Sequence, residues 1–165
     1  MTQWSIQEGS YELVYHFSLV GRLGLPVRVV SVDQKWFHWL TNRAESNASP
    51  HMRAIAAVDP NGLIHGMVGF DGWTKNSVVI TIALENPASL RSLIHPLFDY
   101  AFNQSGRGVA LATVRGSNAR SIKLCKRVGM REVYRVKDGI DVGEDLVIFE
   151  MRREECRWLQ TRRAA

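Results

Sequence analysis

The sequence predicts one mixed α/β domain whose central sheet is mostly antiparallel and flanked by helices. Three apolar runs between residues 53 and 84 are separated only by turn signals, which is typical of an antiparallel meander. A long amphipathic helix and another buried strand follow this meander. We take residues 1–165 as a single domain, with 1–26 as an N-terminal extension and 152–165 as a basic C-terminal tail.

The N-terminal third contains an extension, a first strand and a first helix. A short helix is expected to start near Ser10, with Tyr15 and Phe17 on its apolar side. The β-branched run Val27–Val32 predicts a strand. Asp33 can cap the next helix, which runs to about residue 42. Its bulky side chains, most of which are expected to pack in the core, are Trp36, Phe37, Trp39 and Leu40.

The meander consists of three predicted strands. Arg53–Val58 and Leu63–Phe70 are joined by Asp59-Pro60-Asn61-Gly62, a strong turn signal between apolar runs. The third strand, Ser77–Leu84, follows a turn at Lys75-Asn76. This arrangement argues against a purely parallel sheet.

The clearest amphipathic helix opens at Asn86, with Pro87 as its first helical residue. Apolar side chains recur at i, i+3 and i+4 from Leu90 to Phe102. Pro96 lies inside this helix and is expected to remove a hydrogen bond and bend it.

Residues 109–130 begin as a buried strand and continue as a polar-capped helix. The short apolar run Val109–Val114 is rich in β-formers. Ser117 or Asn118 can cap the helix, and Gly129 suits the left-handed residue that ends it. A strand leading directly into a capped helix places a polar side chain and free N–H groups at the sheet edge, which favours a ligand site.

The C-terminal part predicts two closing strands, Arg131–Val136 and Asp145–Met151, linked through Asp138-Gly139. The tail Arg152–Arg163 is expected to be helical, with Trp158 docking it against the domain.

Composition restricts the classes of partner without choosing one. The net charge of +5 favours nucleic acid, an acidic protein surface or a phosphorylated cofactor. No run approaches the roughly 20 apolar residues that cross a bilayer, and the start carries no secretory pattern. The two cysteines and five histidines show neither a disulfide framework nor metal-ligand spacing, so no metal site is predicted. The expected location is the cytoplasm.

The pattern Asn118-x-x-Ser121-x-x-x-Cys125-x-x-x-Gly129-Met130 resembles the N-x-x-A/S-x-x-x-Y-x-x-x-G-F signature of GNAT-type N-acyltransferases. The order of elements from about residue 27 to 151 agrees with that family. The whole chain more loosely resembles small GNAT-type proteins encoded by phages. The resemblance implies a GNAT-like sheet with two splayed parallel strands, acetyl-CoA as acyl donor and an amine acceptor. A phage origin would place the protein in the host cytoplasm.

In the resembled family the acyl-CoA lies between the splayed strands, which here are the runs 77–84 and 109–114. The resemblance implies that the backbone of Ile82, Ala83 and Leu84 pairs with the pantetheine arm. It also implies that Asn118 and Ser121 contact the donor from the following helix.

The family normally carries R/Q-x-x-G-x-G/A where the donor diphosphate meets a helix N-terminus. This sequence has no glycine between Glu85 and Arg91. Arg91 and the Ser89 hydroxyl are the candidate phosphate ligands in its place. Equally, this site could bind CoA weakly or not at all.

Proton transfer is the second departure. Cys125 stands where many family members have a tyrosine that protonates the departing thiolate. A thiol could do this, although a helical cysteine is more often only a small apolar residue. Asp71 and Glu85, at strand ends, are the candidate general bases, ahead of His65 and Tyr134.

Two function classes therefore remain. One is an acetyl-CoA-dependent N-acetyltransferase acting on an amine of a small molecule or protein, which the retained Asn118 favours. The alternative is a non-catalytic GNAT-fold protein of phage type that binds a host protein or nucleic acid through its basic surface. The glycine-free loop and the missing tyrosine favour it. Modification of a nucleobase amine would combine the two. The oligomeric state stays open, a homodimer included.

Overall fold

The computed structural model describes residues 15–20 and 26–159. Within them eight strands form one sheet, and three α-helices cover it. The strands are β1 (Tyr15–Val20), β2 (Pro26–Ser31), β3 (Arg53–Val58), β4 (Ile64–Asp71), β5 (Ser77–Leu84), β6 (Val109–Arg115), β7 (Arg131–Asp141) and β8 (Glu144–Arg152). The helices are α1 (Phe37–Ala44), α2 (Leu90–Asp99) and α3 (Ala119–Val128). None of these described helices is long and apolar enough to cross a membrane.

The strand order is β1-β2-β3-β4-β5-β6-β8-β7. Among the described strands, β5 and β6 form the parallel pair, and the other neighbours are antiparallel. The crossover between β5 and β6 runs through α2, as a parallel connection requires. The mixed, mostly antiparallel sheet expected from the sequence is confirmed.

Helices cover both faces of the sheet and create two apolar cores. On one face, Leu97 and Phe98 of α2 and Val128 of α3 belong to one buried cluster with Phe70 of β4. On the other face, α1 packs against the sheet through Phe37, Trp39 and Leu40, which are all buried. The core role expected for most of these bulky residues is therefore confirmed. The sheet therefore separates two apolar cores. The first core lies between the sheet and helices α2 and α3, and the second core lies between the sheet and α1.

The start of α1 differs in detail from its expectation. A 3-10 turn, Gln34–Trp36, precedes the helix, and Asp33 occupies the capping position. The Asp33 side chain makes no capping hydrogen bond and instead forms an ion pair with Lys35, 3.7 Å between Oδ2 and Nζ. The Asp33 carboxylate thus interacts with the Lys35 ammonium group and not with the backbone N–H groups at the start of the helix.

The opening of α2 follows the sequence closely. Asn86 Oδ1 accepts a hydrogen bond from the Ala88 N–H at 3.0 Å, and Pro87 is the first residue of a 3-10 turn that leads into the helix. Pro96 lies inside α2, as predicted. A π-helical turn, Tyr100–Gln104, continues the helix to its end.

The N-terminal helix expected across Tyr15 and Phe17 is wrong in its described part. Tyr15–Val20 forms β1, an edge strand antiparallel to β2. The open edge of β2 offers ladder hydrogen bonds that a local helical pattern cannot match, and tertiary context overrides propensity. Ser10, where that helix was expected to start, lies outside the described residues.

The closing hairpin is longer than expected. β7 continues to Asp141, and the chain turns at Val142-Gly143, where Gly143 has φ +83°. Asp138 and Gly139 lie in an irregularity of the β7–β8 register instead of forming the turn. Asp138 has φ +54°, the left-handed conformation that aspartate tolerates better than most residues. A turn-like dipeptide thus marks a bulge here.

The tail docks as predicted but is not a long helix in its described part. After β8 it makes one 3-10 turn, Arg153–Glu155. Trp158 packs against the first core, and its Nε1–H donates to the Val128 carbonyl oxygen at 2.7 Å. Residues 160–163 of the expected helix lie outside the described residues.

Replacing Leu97 by alanine tests the core between the sheet and helices α2 and α3. Leu97 is fully buried in α2, so Leu97→Ala should lower the free energy of unfolding by about 2–5 kcal/mol. Val142 is 93% exposed at the hairpin tip, so Val142→Ala should change the free energy of unfolding by no more than about 0.5 kcal/mol. Urea unfolding followed by circular dichroism measures both. Equal effects from the two substitutions would contradict this packing.

Candidate functional site

β5 and β6 are paired only at their beginnings. The parallel register holds for Ser77–Val109, Val78–Ala110 and Val79–Leu111, and then the strands separate. Each strand keeps its outer neighbour along the gap: β5 pairs with β4 from Val79 to Leu84, and β6 pairs with β8 from Val109 to Arg115. The gap therefore opens without weakening either outer ladder. The splayed parallel pair implied by the family resemblance is present.

The pairing of the outer neighbours determines which backbone groups face the gap. Glu85 N–H donates to the His65 carbonyl oxygen on β4. Because antiparallel pairing alternates, Ala83 also faces β4, whereas Ile82 and Leu84 turn towards β6. On β6 the Gly116 N–H donates to Asp145 on the β8 side, so by the same alternation Thr113 turns towards β5.

The exposed edges thus consist of alternate residues. Of the three β5 residues expected to pair with a pantetheine arm, Ile82 and Leu84 turn their backbone groups towards the gap. The backbone of Ala83 does not face the gap, because Ala83 is paired with Met67 on β4. Its side chain is buried in the core between the sheet and α1. Thr113 joins the edge from the opposite strand, a residue the sequence reasoning did not select.

A cleft of about 450 Å³ occupies the gap and connects both faces of the sheet. That volume lies in the range of small-molecule sites. On one side it is lined by α3, including Asn118, Ser121 and Cys125. On the other it reaches the end of α1 at Arg43 and Glu45.

Asn118 begins α3 and also lines the cleft. Its Oδ1 accepts a hydrogen bond from the Ser121 N–H at 2.9 Å, which confirms the predicted cap. The carboxamide Nδ2 is not needed for capping and can donate to a ligand. Gly129 ends the helix with φ +103°, as its place in the sequence indicates.

Cys125 lines the same wall of the cleft but is a poor nucleophile. Burial raises the pKa of its thiol to about 11. The side chain is therefore a neutral thiol near pH 7, because the reactive form is the thiolate. Its chemistry is limited to packing or, at most, to donating a proton.

The α1 side of the cleft is charged. Arg43 Nε donates to Glu85 Oε2 at 2.9 Å, and the Arg43 guanidinium lies 4.1 Å from the centroid of the Trp39 ring. Arg115 of β6 forms an ion pair with Glu45, 3.3 Å between Nε and Oε2. These two pairs lie close to opposite strands of the gap.

Glu45 is the carboxylate that the sequence reasoning missed. Among the described residues that line the cleft, it is the one acidic side chain. It caps the C-terminus of α1 in the left-handed conformation, φ 48°, where glycine or asparagine is more common. Its place immediately after an amphipathic helix, in a polar loop, was the only signal in the sequence.

Asp71 is engaged elsewhere. Its carboxylate accepts hydrogen bonds from the Ser49 N–H at 2.8 Å and the Ser49 hydroxyl at 2.5 Å, and another from the Gly72 N–H. Burial alone would raise the pKa of Asp71, but these hydrogen bonds outweigh it and lower the pKa below its usual value. Asp71 fastens the loop after α1 to the end of β4 and does not line the cleft.

The other candidate bases lie at different distances from the cleft. Glu85 is exposed and adjoins it through Arg43. His65 instead pairs with Asp59, 3.2 Å between Nε2 and Oδ2, and Tyr134 lies 65% exposed on edge strand β7. Neither His65 nor Tyr134 is among the described residues lining the cleft.

The loop between β5 and α2 satisfies its own backbone amides. The N–H groups of Glu85 and Asn86 donate to the His65 carbonyl oxygen. The Ala88 N–H is bound by the Asn86 side chain, and the Ser89 N–H by the Asn86 carbonyl oxygen. A diphosphate cradle requires free amides, so these described residues do not fit the expected one.

The two side chains proposed for phosphate binding have different surroundings. Ser89 is only 4% exposed, and its hydroxyl lies 2.6 Å from the Asn86 carbonyl oxygen and 3.1 Å from that of His65. It is a structural tie between the loop and β4. Arg91 is exposed on the first turn of α2.

With the splayed sheet and its cleft defined, the architecture is that of the GNAT fold. No protein-family model and no functionally curated protein matches this sequence. The chain is similar in structure to the spermidine/spermine N-acetyltransferase SpeG from Vibrio cholerae in complex with manganese ions. The TM-score is 0.67 and the identity 11%, over 82% of this chain and 97% of that chain.

A dodecameric structure of spermidine N-acetyltransferase from Vibrio cholerae in an intermediate state is also similar. Its TM-score is 0.64 and its identity 12%, over 78% of this chain and 95% of that chain. At such identities the likeness establishes the fold and leaves the chemistry to the site.

The reactivity of Cys125 tests the environment of the cleft wall. Because its pKa is raised to about 11, alkylation by iodoacetamide should accelerate about tenfold per pH unit between roughly pH 8 and 10. Cys125→Ser identifies the signal, since the other cysteine, Cys156, is buried. Rates that level off by about pH 9 would show an ordinary, solvent-exposed thiol.

Proposed function

We propose that the protein is a GNAT-type N-acyltransferase. It transfers an acyl group, most simply the acetyl group of acetyl-CoA, to an amine of a small molecule or protein. The observation that carries this proposal is the unpaired edge between β5 and β6, where Ile82, Leu84 and Thr113 turn their backbone groups towards the gap, and Ile82 and Thr113 also line the cleft. Backbone N–H and C=O groups that no neighbouring strand engages are free to pair with an extended ligand, and an amide-rich pantetheine arm offers matching groups.

The donor enters this proposal as an extended chain between the two strands. Its amides pair with Ile82 and Leu84, while the Asn118 carboxamide donates from the start of α3. Ser121 borders the same wall. Because the cleft connects both faces of the sheet, a thioester held between the strands meets an acceptor arriving from the α1 side. Holding the two reactants in line supplies much of the rate acceleration.

The transfer is a direct acyl exchange. The neutral acceptor nitrogen attacks the thioester carbonyl carbon, the new C–N bond forms, and the C–S bond breaks with its electron pair on sulfur. Strand N–H groups that face the gap stabilise the oxyanion of the tetrahedral intermediate. The nitrogen loses one proton to a base, and the sulfur gains one from an acid.

Glu45 is our choice for the proton acceptor, because its carboxylate lines the cleft on the acceptor side. Glu85 is the second choice, reached through Arg43. Asp71 is less suitable, since hydrogen bonds from Ser49 and Gly72 already stabilise its ionised form. Cys125 is a neutral thiol on the cleft wall and can give the sulfur this proton, although its raised pKa makes it a weaker acid than an ordinary thiol.

One observation favours a second candidate function. The self-satisfied loop before α2 lacks the free amides that a CoA diphosphate would use. A GNAT-fold protein that had lost donor binding could still bind a host protein or nucleic acid through its basic surface. Absence of acetyl-CoA binding at millimolar concentration would select this alternative.

Asn118 variants separate capping from donor binding. Asn118→Ser keeps an oxygen that accepts the Ser121 N–H, so stability should change little, whereas Asn118→Ala should cost about 1 kcal/mol. Both variants lose the carboxamide donor and should weaken acetyl-CoA binding by about three- to tenfold. Calorimetric titration and thermal unfolding measure the two effects. Unchanged affinity in Asn118→Ser would remove Asn118 from the donor site.

A bulky side chain on α3 tests the position of the cleft. Ser121→Trp fills the wall beside Asn118 and should lower acetyl-CoA affinity at least tenfold. Lys123→Trp adds the same ring two residues away, at an exposed position that does not line the cleft, and should have no effect. Calorimetric titration with acetyl-CoA measures the affinity of each variant, and circular dichroism checks that each variant is folded. Equal losses would place the donor elsewhere.

A further inference from the structure

We infer that the donor site recognises the pantetheine thioester and not the nucleotide diphosphate attached to it. This rests on the proposed function and specifies its donor: any acyl-pantetheine compound should bind nearly as well as acyl-CoA. The geometry that points to it is the contrast between an open strand edge in the cleft and a closed loop at the end of β5.

The loop offers few backbone groups to an anion. The amides of Glu85, Asn86, Ala88 and Ser89 are all used within the protein. Pro87 has no N–H at all. Binding a diphosphate here would require breaking several of these hydrogen bonds, so the helix N-terminus is already occupied by the chain's own oxygens.

Packing holds the loop in this conformation. A Cβ built on Gly66 of β4 would lie 2.5 Å from Ser89 Oγ and 3.0 Å from Leu84 Cδ2 and Leu93 Cδ1. Ser89 is thus pressed against the backbone of β4, with its hydroxyl bound to carbonyl oxygens of the loop and of His65. A rearrangement that freed the amides would have to withdraw this buried side chain.

Charge gives the diphosphate little further support. Glu85 places a carboxylate at the start of the loop, and its partner Arg43 is held both by that carboxylate and by the Trp39 ring. Arg91 remains as an exposed cation on α2. One exposed charge pair is worth at most about a fivefold change in affinity.

The strand edge, in contrast, contacts only the uncharged part of the donor. Ile82 and Leu84 on β5 and Thr113 on β6 present amide groups along the gap, and Asn118 adds a neutral carboxamide. All of these groups match the two amides of pantetheine. Donor affinity should therefore reside in the arm, with the nucleotide in solvent.

Calorimetric titration of the full chain with acetyl-CoA and with acetyl-pantetheine tests this at about 0.15 M salt. We expect dissociation constants within about tenfold of each other. Arg91→Ala should remove whatever preference for acetyl-CoA exists, whereas Lys137→Ala, a matched loss of one exposed cation on β7, should not.

A preference for acetyl-CoA of a hundredfold or more would overturn the inference and leave the proposed function standing. So would a preference above tenfold that persists in Arg91→Ala, because it would require a diphosphate site that the loop does not show. Failure of both ligands to bind at millimolar concentration would overturn the proposed function, and the inference with it.

Discussion

The structure depends on where the hydrogen bonding between β5 and β6 stops. The ladder ends at Val79–Leu111, although both strands continue. β4 and β8 hold the outer edges of the two strands, so the sheet stays intact on either side of the gap. An interrupted ladder inside a sheet leaves backbone groups that no neighbouring strand engages, and the proposed donor site consists of these groups.

Everything else in the site is arranged relative to that gap. α3 begins beside β6 and brings Asn118 to one face, while the end of α1 brings Arg43 and Glu45 to the other. A donor bound between the strands and an acceptor arriving from the α1 side would then meet within the sheet. The amides of the loop before α2 are hydrogen-bonded within the protein, and the proposed donor recognition therefore rests on the pantetheine arm and not on the diphosphate.

Local patterns in the sequence predicted most of the fold but only part of the site. Asn86, Asn118 and Gly129 were correctly placed because capping depends on neighbours within a few residues. β1 was missed, and the closing hairpin was predicted too short, because pairing across strands decided both. Glu45 was missed because only the folded sheet brings the end of α1 to the gap. The role expected for Ala83 depended on strand parity, which the sequence does not reveal.

Amide hydrogen exchange with and without acetyl-CoA is the most direct test of the gap as the donor site. Ile82 and Thr113 face the gap, so their amides should exchange more slowly when the donor is bound. Ala83 already pairs with Met67 and serves as the internal control, with unchanged exchange. We predict protection of Ile82 and Thr113, together with Leu84, which also faces the gap, while Ala83 stays unchanged. Protection elsewhere, with the amides of Ile82 and Thr113 unaffected, would contradict the account.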